Sequence, residues 1–147
     1  MNELEQMYQQ IILDAARERY GEGELDDPDG ESFQVNPTCG DQVTYQVNVR
    51  DGKIADIAWT GHGCSISQAS ISMMSEIVEH TSLEDFGQLY ETFRNMMDAR
   101  GTEISEEDAD LLEDASSLQG VSKFPMRIKC ALLGWMALRD AANQATE

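Results

Sequence analysis

Four residues have the types that could do chemistry together: Cys39 and Asp41 in NPTCGD, Cys64 in GHGCSISQASISMM, and Cys130 in FPMRIKCALLGW. Three thiolates and one carboxylate make a donor set that suits a tetrahedral zinc ion. Spacing alone does not decide the matter. Cys39 and Cys64 are 25 residues apart and Cys64 and Cys130 are 66 apart, so the chain has no CxxC pair. Read singly, the same residues are three unrelated free thiols, two of them buried.

Local context favours convergence. If residues 39–41 are extended, side chains two apart face the same way, and Cys39 and Asp41 can look at one centre. Gly40 lets the backbone bend between them, and Gly61 and Gly63 allow a tight turn ahead of Cys64. Cys64 falls at the start of a helical pattern, where a helix N-terminus favours a thiolate. Cys130 falls one turn into another helix. Lys123, Arg127 and Lys129, three of the ten bases in the chain, lie close by in sequence. That clustering predicts a thiolate environment with Arg127 as its stabiliser. His62 reads as a glycine-flanked surface histidine, since four ligands are already available, and His80 as a side chain at a helix C-terminus.

The elements that must position these residues follow from periodicity. Leu4, Met7, Tyr8, Ile11, Ile12 and Ala15 recur at helical spacing over residues 3–20. An acidic loop, EGELDDPDGE, and a short extended FQVN follow. Val43, Tyr45, Val47 and Val49 alternate with polar residues, as do Ala55, Ile57 and Trp59 after RDGK, which predicts a hairpin over 42–60. A two-residue Asp51-Gly52 loop would pair Val47 with Asp56 and put a carboxylate on the apolar face. A three-residue loop pairs Val49 with Ala55, Val47 with Ile57 and Tyr45 with Trp59, so a longer or bulged turn is expected. Such a hairpin returns Cys64 to the neighbourhood of Cys39. Helices are predicted from Ser65, from TSLED with Thr81 or Ser82 as N-cap, and from Pro125. An acidic segment, EISEEDADLLED, reads as a surface insertion around 101–118. The expected class is α+β: a small antiparallel three-stranded sheet with helices packed on one face, in one domain over 1–147.

Charge narrows the partners. The 147 residues include 28 acids against 10 bases, a net charge of -18. Nucleic acid and anionic membranes are disfavoured by long-range repulsion. No basic-then-apolar leader is visible in residues 1–10 and no apolar run approaches membrane-spanning length, so a cytoplasmic protein with reduced thiols is expected.

The three cysteine motifs, in order and spacing, resemble those of the U-type iron–sulfur cluster assembly proteins (the NifU N-terminal and IscU-like family), and within it the SufU branch. The resemblance spans roughly residues 4–142. It implies that Cys39, Asp41, Cys64 and Cys130 bind one zinc. It also implies sulfur transfer from a pyridoxal-phosphate cysteine desulfurase of SufS type, with Cys39 as acceptor, toward a downstream assembly scaffold. The IscU-type scaffold branch carries a histidine before its third cysteine, where this chain has Lys129, and a Leu-Pro-Pro-Val-Lys motif that is absent here. The family's N-terminal helix ends in Asp-His and Pro-Arg-Asn; this chain keeps Asp14 but continues with Ala15 and ARERYGEGEL. The expected function is a zinc-dependent sulfur carrier. Its rivals are a scaffold that holds a transient iron–sulfur cluster, an interaction module with a structural zinc, and, last, a Cys64–His62 hydrolase that lacks an orienting third group.

Overall fold

The computed structural model describes residues 2–146, which form five α-helices, a 3-10 segment and one three-stranded sheet. The first helix, α1 (Glu3–Glu18), starts on Asn2, whose side chain accepts from the Glu5 amide at 2.8 Å. It ends at Arg19, a non-glycine residue in the left-handed conformation (φ 50°). Strands β1 (Gly30–Asn36), β2 (Asp41–Arg50) and β3 (Lys53–His62) follow in the order β1-β2-β3, all antiparallel. Helices α2 (Ser65–Val78), α3 (Leu83–Asp98), α4 (Glu106–Leu112) and α5 (Pro125–Ala145) complete the fold, with the 3-10 segment Glu113–Lys123 between the last two. Ser82 is the α3 cap, accepting from the Asp85 amide at 3.0 Å.

The predicted sheet and its one-sided helical cover are present. Val43, Tyr45, Val47 and Trp59 are fully buried on the covered face, and α5 lies across β1 and β2. Alternation along β1 turns Phe33 and Val35 the other way, where both are exposed. Contact with α5 is close enough to require Gly30, because a Cβ there would run into the Ala141 carbonyl. Helix α2 packs between α5 and α1. Trp135 is the centre of this layer: its ring stacks on Phe93 at 4.5 Å, and its indole N–H donates to Ser70 at 3.1 Å. Burying an aromatic ring of this size removes about 150–250 Å² from water, which is why such rings dominate core energetics.

Two expectations are corrected. The β2–β3 turn is the two-residue one, with Asp51 and Gly52 both at positive φ (54° and 74°). The apolar register survives because the extra residue enters one step further in. Val49 pairs with Ile54, Ala55 is bulged, and Val47–Ile57 and Tyr45–Trp59 then pair as predicted. The acidic segment, in turn, is not only surface. Its acids are solvated, but Leu112, Ala115, Leu118 and Val121 join the core. Their spacing of three is the period of a 3-10 helix, on which i and i+3 eclipse.

Candidate metal centre

Hairpin geometry brings three of the candidate residues to one edge of the molecule. Asn36 at the end of β1 pairs with Asp41 at the start of β2, and residues 37–40 form the connecting loop. That loop folds on Asn36: its carbonyl accepts from the amides of Cys39 (3.3 Å) and Gly40 (2.9 Å), and its side-chain oxygen accepts from Thr38 (3.3 Å). Gly40 takes φ 72° to close the turn. Cys39 and Asp41 therefore converge through a tight loop, not through the extended backbone expected. Gln42 pairs with His62, which sets Asp41 beside the β3–α2 junction.

Cys64 is the N-cap residue of α2, but its side chain makes no capping bond. Instead its amide donates to Asp41 Oδ1 at 2.8 Å, and its Sγ lies 3.8 Å from Asp41 Oδ2. Gly63 is needed for this approach, since a Cβ there would strike the Asp41 carboxylate and the Ser67 hydroxyl. Asp41 is fully buried. A buried carboxylate is costly unless it is paired or hydrogen-bonded, and its partners here are the Cys64 amide and thiol.

Cys130, buried on α5, completes the group. Its Sγ lies 3.3 Å from Cys39 Sγ, 3.7 Å from the Met126 carbonyl and 3.8 Å from Asn36 Nδ2. The donor atoms of Cys39, Asp41 and Cys130 all lie within 4.8 Å of one another, and Cys64 is joined to them through Asp41. Burial, then contact with Asp41, Cys39 and Cys64, pushes the bare Cys130 thiol well above its usual range. Lys123, Arg127 and Lys129 are all exposed, and among the described residues Arg127 forms no ion pair. The polar group that does reach Cys130 is Asn36, which sequence reasoning missed; its inward position on β1 was the available signal.

The donor set fits zinc. With Zn–S near 2.3 Å and Zn–O near 2.0 Å, tetrahedral donors sit about 3.5–3.8 Å apart. The Cys39 and Cys130 sulfurs are 3.3 Å apart and the Cys64 sulfur is 3.8 Å from the Asp41 carboxylate, each within about half an ångström of that spacing. Three thiols and a carboxylate converging on a largely buried point would repel one another if ionised without a cation. His62, at the end of β3, is exposed. His80 is exposed too and occupies a left-handed position (φ 72°) after α2, with its amide donating to Ile54.

The NifU-like N terminal domain model matches residues 7–141. The chain belongs to that family. NifU-like relatives include the zinc-dependent sulfurtransferase SufU of Bacillus subtilis, 39% identical over 92% of this chain and 88% of its own length. The iron–sulfur cluster assembly scaffold protein IscU of Streptococcus pyogenes is 37% identical over 99% of this chain and 88% of its own. Among solved structures, a proposed iron–sulfur cluster assembly scaffold for the SUF system of Fervidobacterium islandicum superposes with a TM-score of 0.82. It is 30% identical and covers 92% of this chain and 96% of its own. Among the described residues, no helix of this NifU-like chain is long and apolar enough to cross a membrane.

Proposed function

We propose that this NifU-like protein is a cytoplasmic, zinc-dependent sulfur acceptor that takes sulfur from a cysteine desulfurase for iron–sulfur cluster assembly. Cys39, Asp41, Cys64 and Cys130 would hold the metal. When bound, zinc keeps thiols deprotonated near neutral pH that would otherwise be protonated. The observation that carries the reading is the asymmetry of the site: Cys39 is exposed on its loop while Cys130 and Asp41 beside it are buried. On this reading Cys39, on its exposed loop, is the member of the set most open to a desulfurase persulfide.

In the transfer, the Cys39 thiolate attacks the outer sulfur of the partner's cysteine persulfide. A Cys39–sulfur bond forms, the partner's S–S bond breaks, and the partner cysteine leaves as thiolate. No net oxidant is consumed, and the step follows thiol–disulfide exchange logic. Asn36 holds the loop through three hydrogen bonds, and Arg127, exposed three residues before Cys130, would supply positive charge to the incoming persulfide. A scaffold role is the second reading, favoured by the name of the S. pyogenes relative, which matches nearly the whole chain.

The discriminating test is to add the zinc-loaded protein to a pyridoxal-phosphate cysteine desulfurase and follow alanine release from cysteine. Faster turnover with stoichiometric zinc supports the acceptor. Unchanged turnover, with visible absorption growing on addition of iron and sulfide, supports the scaffold.

A further inference from the structure

Contacts around the end of α1 centre on one side chain. Arg19 donates from Nε to Glu22 Oε2 at 2.8 Å and from Nη2 to the Gly61 carbonyl at 2.8 Å. It also donates from Nη1 to Gln68 Oε1, and its guanidinium lies 4.7 Å from the centre of the Trp59 ring. One planar fork thus joins α1, β3 and α2. Its two distant hydrogen-bond partners, Gly61 and Gln68, bracket Cys64.

The bracketed segment is held to Cys64 by its own bonds. The Gln68 amide donates to the Cys64 carbonyl at 3.1 Å, as does the Ser67 hydroxyl at 3.1 Å, and Gln68 Nε2 donates to Ser67 Oγ at 3.3 Å. We infer that Arg19 is a positioning residue for Cys64, fixing the β3–α2 junction so that the Cys64 amide and thiol meet Asp41. Arg19 touches none of the four candidate ligands. Its consequence for metal binding rests on the four-ligand reading above; its geometry does not.

The charge and shape of the side chain matter separately. A guanidinium offers several donors in a rigid plane, so it can bridge Gly61 and Gln68 while stacking on Trp59; an ammonium cannot. Trimming it need not undock α1. Residues 20–23 are fastened independently by Trp59 Nε1 donating to the Tyr20 carbonyl (2.7 Å), the Gly23 amide to Trp59 (2.9 Å), and the Tyr20 amide to Ser72 (3.0 Å).

The test is amide hydrogen exchange on the metal-free full chain, with cobalt(II) absorption as the second readout. In Arg19→Ala, exchange over residues 61–68, Cys64 above all, should rise about 10- to 100-fold, the range expected for losing charge-assisted hydrogen bonds. Amides of α3 should stay within about twofold. Arg19→Lys should not restore protection, and Arg50→Ala, which removes a charge at the far tip of the hairpin, should change nothing. Gln68→Met, which cuts one arm and leaves Arg19 on Gly61, should give a smaller rise in the same segment and stands in if Arg19→Ala fails to fold. The cobalt(II) ligand-field bands of Arg19→Ala should shift from those of the unaltered protein. Unchanged exchange over 61–68, or an equal rise throughout the chain in both variants, would overturn the assignment. An unaltered protein that takes up no cobalt would sink the four-ligand reading instead, while the exchange data still decide the role of Arg19.

Discussion

Cys39 and Cys130 present their sulfurs 3.3 Å apart, yet they belong to different worlds. Cys130 is buried in α5 among fully buried Ala131 and Trp135. Cys39 is exposed on a four-residue loop whose backbone is anchored mainly by Asn36. The deep cysteine is held by the core and the shallow one by a single residue. A site built this way can keep its shape while one member is lent to a partner.

Substitutions should separate the two halves. The largest effect is expected for Cys130→Ser, which puts a hydroxyl in a buried sulfur pocket and removes a ligand. It should lose zinc and about 2–4 kcal/mol of stability, read by metal analysis and by denaturant unfolding. Cys39→Ala should bring sulfur acceptance to background. It should cost under about 1 kcal/mol in the metal-free protein, as for other exposed substitutions. Equal destabilisation by the two variants would erase the distinction between deep and shallow. Asn36→Ala touches both halves, since it removes the side-chain bond to the Thr38 amide and the donor near Cys130 while the carbonyl bonds to Cys39 and Gly40 remain. A loss of about 1–2 kcal/mol is expected, with faster alkylation of Cys39 by iodoacetamide. Arg127→Ala is the mildest: zinc content and melting temperature should hold, and sulfur acceptance should fall about threefold to tenfold if the rim charge steers the incoming persulfide. Transfer at the original rate would leave Arg127 as an ordinary helix-surface residue.

Much of this arrangement was legible in the sequence. Val43, Tyr45, Val47 and Trp59 announce a half-buried hairpin by alternation alone, and a hairpin must return Cys64 toward Asp41. Ser82 and Pro125 mark helix starts through capping chemistry. What stayed hidden depends on choices that pattern does not record. A bulge at Ala55 and a three-residue loop, the two forms the expectation of a longer or bulged turn allowed, bury nearly the same residues, so periodicity cannot separate them. The core contribution of Leu112, Ala115, Leu118 and Val121 was masked by seven acids in twelve positions and by a period of three instead of 3.6. Asn36 and Arg19 act through side-chain directions across 94 and 42–49 residues of chain, respectively, which no local rule reaches. The three bases near Cys130 are exposed, so nearness along the helix alone does not fix what they touch.

The central claim is that the exposed cysteine carries the sulfur. The most direct measurement is to react the zinc-loaded protein with a cysteine desulfurase and cysteine, trap persulfides by alkylation, and locate the added sulfur by peptide mass spectrometry at early times. The account predicts a mass increase of one sulfur on the Cys39 peptide first, and none in Cys39→Ala. Sulfur appearing first on Cys64 or Cys130, with Cys39→Ala still accepting it, would contradict the account.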